Sequence, residues 1–149
     1  IMPTHGLPDI SEYLCDIILR SLARFKLSRG VKDESELEEE IYKWLLEDVF
    51  SIRGGLLALR PLLKRQVDFY VGKMIGRADI ALANAVCIEL KFVNSEDDLI
   101  RLRKQINFYK KAFRYVIAVC YNPHHIPVEE IRRKLGITRR VKRVKFISI

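Results

Sequence analysis

The chain has 149 residues, 49% of them hydrophobic and 31% charged, with a formal net charge of +8. That supports one domain, 1–149, with a sizeable core, and excludes general disorder. There is no run of about 18 apolar residues, and the first residues lack a charged segment followed by an apolar one, so a cytoplasmic protein with no membrane partner is expected.

Residues 9–27 place Ile10, Leu14, Ile17, Ile18, Leu22 and Phe25 on one helical face, and Arg29-Gly30 closes this N-terminal region, 1–30. Ser35-Glu36-Leu37-Glu38 reads as a capping box opening a second helix, with Leu37, Ile41, Trp44 and Leu45 on its inner side. After a turn-rich joint around Gly54-Gly55 and Pro61 come three strand-like segments, 64–71, 77–83 and 86–93. Their short connections predict an antiparallel meander.

Ser95 then starts a third helix, with Leu99, Leu102, Ile106, Tyr109 and Phe113 recurring at helical spacing. The apolar run Tyr115 to Tyr121 reads as a buried strand stopped by Asn122-Pro123. A helix over 127–135 and a strand over 141–148 complete the chain. The fold class is α/β, an α+β mixed sheet flanked by helices. The third helix joins strand 86–93 to strand 115–121, which predicts a parallel pair there.

Cys15, Cys87 and Cys120 are odd in number, far apart and without a CxxC, so they read as reduced, buried thiols rather than a disulfide framework or a thiolate metal site. The charge is concentrated. Residues 131–149 hold eight basic residues and no acid, whereas residues 1–130 hold 19 basic and 19 acidic residues. Arg132, Arg133, Lys134, Arg139, Arg140, Lys142 and Arg143 are therefore the expected nucleic-acid contacts, in a basic C-terminal helix and strand over 122–149.

The most informative stretch is Arg77-Ala78-Asp79-Ile80 followed by Ile88-Glu89-Leu90-Lys91-Phe92. Strand alternation puts Glu89 and Lys91 on one face and Ile88, Leu90 and Phe92 on the other. Whether Asp79 joins the charged face depends on the turn. A three-residue loop, Ala83-Asn84-Ala85, would set Asp79 opposite Glu89, with Asn84 tolerating a left-handed conformation; a two-residue loop would separate the acids. Paired carboxylates beside a lysine can hold a divalent metal next to a cation. Asp68 is an alternative acid, and His124-His125 read as an exposed loop. Gln105 and Tyr109, four apart, share a face of the third helix.

Asp79, Glu89-Leu90-Lys91 and Gln105-xxx-Tyr109, in that order on strand, strand and helix, resemble the PD-(D/E)xK nuclease superfamily, the last motif being similar to its RecB-type branch. The resemblance covers residues 35–121. It departs from the family at Ala78, which stands where many members have Pro, and in lacking an upstream His, a cysteine cluster and a GxxxxGK[ST] phosphate loop.

The resemblance implies a restriction-endonuclease-like core of helix, three-strand meander, helix and strand, and Mg2+- or Mn2+-dependent hydrolysis of phosphodiesters in DNA rather than RNA. Asp79, Glu89 and the carbonyl of Leu90 would hold the metal, Lys91 would orient the water and offset phosphate charge, Gln105 would position the water or phosphate, and Tyr109 would contact the nucleic-acid backbone. Members also place a Glu in the helix before the sheet. Glu38 and Glu40 both border the apolar stripe, and Glu40 is favoured because Leu37 and Trp44 would pack it over the sheet. Small size favours an endonuclease acting as a homodimer, with an exonuclease also open. The alternative is a catalytically inactive nucleic-acid-binding module with the same fold.

Overall fold

The computed structural model describes residues 10–27, 30–138 and 140–149. Its helices are α1 (Ile10–Arg24), α2 (Glu34–Asp48), α3 (Glu96–Tyr109) and α4 (Val128–Leu135). Its strands are β1 (Leu63–Val71), β2 (Met74–Leu82), β3 (Val86–Phe92), β4 (Tyr115–Tyr121) and β5 (Val144–Ser148), with a short 3-10 helix, Leu57–Leu62, before β1. The strands form one sheet in the order β1-β2-β3-β4-β5. The first three are antiparallel neighbours, while β3, β4 and β5 run parallel. This is the mixed sheet flanked by helices that the sequence predicts. Among the described residues, no helix is long and apolar enough to cross a membrane.

Two apolar cores sandwich the sheet. One joins α1 and α2 to it through Leu14, Ile18, Leu22, Leu37, Ile41 and Leu45 against Ile80, Ile88 and Leu90. The other joins α3 and α4 to it through Leu99, Leu102, Ile106 and Ile131 against Cys87, Val116 and Ala118. Ile10, expected on the buried face of α1, is instead 66% exposed at the first described residue of the helix. The three cysteines are buried and free.

Capping differs from the expectation at α2. Asp33, not Ser35, is the N-cap, and its carboxylate accepts the Glu36 N–H at 2.8 Å. Asp serves this role as well as Ser and stands two residues earlier. At α3 the expected start holds. Asp98 accepts from the N–H groups of Ser95 at 3.1 Å and Asn94 at 2.9 Å. The last strand begins at Val144 rather than 141, since Val141 closes a turn on Thr138.

Arg143 closes the other end of α3. Its guanidinium donates to the carbonyls of Arg114, Lys110 and Phe113 at 2.7, 2.8 and 2.7 Å. These carbonyls lie at and just beyond the helix end, where no amide of the same turn reaches them. Arg143→Ala is expected to lower stability by about 1–2 kcal/mol, given the usual worth of charged hydrogen bonds and the exposure of this side chain. A urea midpoint unchanged from wild type would show that solvent replaces these bonds without cost.

Candidate functional site

The β2–β3 turn decides the geometry. Leu82 pairs with Val86 and Ile80 with Ile88, so the loop has three residues and the register, if continued, brings Asp79 opposite Glu89. The left-handed residue in the loop is Ala83 (φ 49°), however, not Asn84. Ladder pairing stops at Ile80 and Ile88. Beyond that point Asp79 Oδ2 itself accepts the Leu90 N–H at 2.8 Å.

A second irregularity lies on the other side of Asp79. Arg65 pairs with Ile80 and Val67 with Ala78, and the register passes over Gln66 and Asp79 between them. Gln66 is left-handed (φ 51°), a conformation that costs a non-glycine residue about 1–2 kcal/mol. This kink reverses the faces of the hairpin. Leu63 and Leu82 belong to the α1/α2 core, whereas Phe69 and Ala78, of the same alternation parity, belong to the α3/α4 core. Asp79 sits at the reversal, and so meets groups from both layers.

From the α2 side comes Glu38, which is only 3% exposed. Its carboxylate accepts from Arg65 Nε at 2.8 Å and from the Gln66 side-chain amide. From the α3 side comes Glu89, 5% exposed, with its Oε2 buried and without a hydrogen-bond partner among the described residues. Burial pushes the Asp79 carboxyl above its ordinary range. The charges of Glu38 and Glu34 add to the shift, while bonds from the Leu90 N–H and Glu89 oppose it. Burial, then the Asp79 charge, pushes Glu89 up to about 9, against the Tyr109 hydroxyl and Lys91. Two carboxyls that cannot readily both ionise are what this pairing produces without a cation.

Lys91 follows on the same strand with 17% of its side chain exposed, its Nζ 3.8 Å from Glu34 Oε1. Glu34 Oε1 also accepts the Phe92 N–H at 3.1 Å, which ties the start of α2 to β3. Gln105 Oε1 is buried and has no partner among the described residues. Lys91 and Gln105 line a cleft of about 460 Å³ with Glu34, Phe92, Asn94, Asp98, Arg101 and Lys104.

Several expected assignments change. Tyr109 does not face outward to nucleic acid. It is 5% exposed, its hydroxyl donates to the Arg77 carbonyl at 3.0 Å, and it bonds with Glu89, so it positions an acid. Its place in the apolar stripe of α3 buries it. The helix acid beside Asp79 is Glu38 rather than Glu40, because the Arg65 and Gln66 side chains draw Glu38 under the sheet. Leu90, whose carbonyl is the expected metal ligand, also gives its N–H to Asp79. Asp68 is paired with Arg77 at 2.8 Å on the exposed outer hairpin.

The basic C-terminal segment is engaged in part. Arg132 faces Glu129 at 3.8 Å and stacks on Phe146, Arg133 pairs with Glu130 at 3.2 Å, and Lys134 pairs with Glu96 at 3.2 Å. Arg143 caps α3, Arg140 and Lys142 are exposed, and Arg139, like Arg29, lies outside the described residues. The sequence reading missed Glu34, Arg65, Gln66, Arg101 and Lys104. A helical plot could have linked Arg101 and Lys104 to Gln105, but nothing in the sequence marks Gln66 as left-handed.

The donor set suits a hard divalent ion. Among the described residues no group of three or more His, Cys, Asp or Glu side chains is arranged to hold a metal. Mg2+, however, typically binds through one or two carboxylates and completes its shell with water and substrate phosphate. Asp79 and Glu89 supply two carboxylates, one with an orphaned buried oxygen. A family model described as bacteriophage P4 protein cII matches residues 32–149. No curated protein and no solved structure matches the chain.

Proposed function

The chain belongs to the bacteriophage P4 cII family, and we propose that it is a metal-dependent deoxyribonuclease of the PD-(D/E)xK type, an endonuclease that hydrolyses phosphodiester bonds. The observation that carries this reading is the meeting of Asp79 and Glu89, both with raised pKa, beside Lys91 at the point where β2 and β3 part. Perturbed acids beside a cation are a usual mark of a working site, and Lys91 and Gln105 open onto a cleft.

Each residue has a part in this mechanism. Asp79 and Glu89 would hold the ion, Asp79 being held in place by the Leu90 N–H and Glu89 by Tyr109. When bound, Mg2+ or Mn2+ would supply Lewis-acid activation of water and phosphate. Gln105 Oε1, a buried acceptor without a donor, takes a hydrogen bond from the attacking water and aims it. Lys91 offsets the charge that grows on the non-bridging phosphate oxygens. Glu38, fixed by Arg65 and Gln66, adds negative charge behind Asp79 and so favours cation capture.

The test is incubation with labelled single-stranded, duplex and four-way-junction DNA in Mg2+, Mn2+ or EDTA. Cleavage that requires the metal is the expected result, and its preference among the three DNAs identifies the substrate. Binding of all three DNAs without cleavage in either metal would replace this reading with that of a silent nucleic-acid-binding module.

A further inference from the structure

The excess positive charge of the sequence lies in residues 131–149, none of which lines the cleft that Lys91 and Gln105 share. Three basic residues of α4 have acidic partners within α4 or at the start of α3, and Arg143 spends its guanidinium on three carbonyls. Arg140 and Lys142 stay exposed, but neither lines the cleft. The cleft differs. Arg101 and Lys104, three residues apart, lie on one side of α3 and line it together with Lys91, Gln105 and Asn94. Of its acids, Asp98 is already taken up by two backbone N–H groups and one Arg101 bond, and Glu34 by Lys91 and the Phe92 N–H. Lys104 is exposed, and no acid among the described residues pairs with it.

We propose that the substrate's phosphodiester backbone is held in this cleft by Arg101 and Lys104, and that the basic C-terminal segment is not its main binding surface. The proposal rests on the nuclease reading and adds the path of the substrate strand: from Lys91 across Gln105 and over the outer side of α3. Arg101 still has free N–H donors after its single bond to Asp98, and Lys104 is a point charge on a flexible stem. Both suit phosphate oxygens rather than bases. Electrostatic contacts of this kind give affinity without sequence preference.

The test is fluorescence anisotropy with labelled duplex and single-stranded DNA, with Ca2+, another hard oxygen-binding ion, in place of Mg2+. The double variant Arg101→Ala/Lys104→Ala is expected to bind at least about tenfold more weakly and to lower the salt slope of binding by roughly two phosphate contacts. The double variant Arg140→Ala/Lys142→Ala is expected to stay within about threefold of wild type. All four side chains are exposed, and Arg101→Gln/Lys104→Gln, which keeps the helical stems, should reproduce the loss. Equal losses in both double variants, or a loss confined to Arg140→Ala/Lys142→Ala, would overturn the proposal and leave the nuclease reading intact. Failure of wild type to bind or cut any DNA is a different result, and it would remove the nuclease reading itself.

Discussion

Glu89→Gln is expected to make the metal-free protein more stable than wild type at pH 8 while abolishing cleavage. Glu89 is nearly fully buried against Asp79, and its carboxyl is pushed up from 4.5 to about 9. Below pH 4 the folded and unfolded states are both protonated, and the group is neutral for stability. Between about 4.5 and 9 the folded state keeps a proton that the unfolded state has released, so stability falls as pH rises through that window and levels off above it. Asp79 is shifted in the same direction and deepens the fall.

The glutamine amide is neutral at every pH and can still donate to Asp79. It should recover on the order of 2 kcal/mol at neutral to alkaline pH, little at pH 4, and lose a metal ligand. Wild type should in turn gain thermal stability from millimolar Mg2+ at pH 8, and the variant should not, because only an ion bound to the folded state shifts the midpoint. Thermal melts across pH 4–9 with and without Mg2+ read both effects. A variant less stable than wild type at every pH would mean that Glu89 is ionised and satisfied by groups already in the fold.

Lys91→Ala is expected to cut the cleavage rate by about 10²–10³-fold with little change in KM. The side chain is mostly buried, and among the described residues its ion-pair partner is Glu34 at 3.8 Å. Its charge is therefore available to phosphate oxygens in the transition state, where removing one preorganised donor has its largest cost. Binding energy comes from elsewhere in the cleft, so affinity for DNA should persist. Single-turnover kinetics with saturating enzyme separate the two terms. A rise in KM at constant kcat would make Lys91 a binding residue only.

Much of this arrangement was legible in the sequence because it depends on short-range rules. The alternation of Ile88, Leu90 and Phe92 against Glu89 and Lys91 set the charged face, and loop parity made the meeting of Asp79 and Glu89 conditional on a three-residue turn, which the fold has. The helical repeat through Leu99, Leu102 and Ile106 gave α3 and its position between two parallel strands. What was not legible depends on tertiary partners.

Glu38 and Glu40 border the same stripe, and only the Arg65 and Gln66 side chains, reaching from β1, select Glu38. The left-handed backbone falls on Gln66 and Ala83, residues without a preference for it, while Asn84, which has one, does not adopt it. The long basic run suggested a nucleic-acid surface, yet Lys134 ties α4 to the start of α3, Arg133 pairs within α4, and Arg143 closes the end of α3. Tyr109 satisfied two sequence patterns at once, the apolar stripe and the QxxxY motif. Burial under the sheet made it a support for Glu89.

The central claim is that Asp79 and Glu89 together hold the ion that makes this fold a nuclease. An anomalous-difference map from crystals grown with Mn2+ tests it most directly. The account predicts a peak bonded to one carboxylate oxygen of each residue, at about 2.0–2.2 Å, with Lys91 and Gln105 facing it. Crystals of an actively cleaving preparation that show no peak there, or a peak at Asp68 or another exposed acid instead, would contradict it.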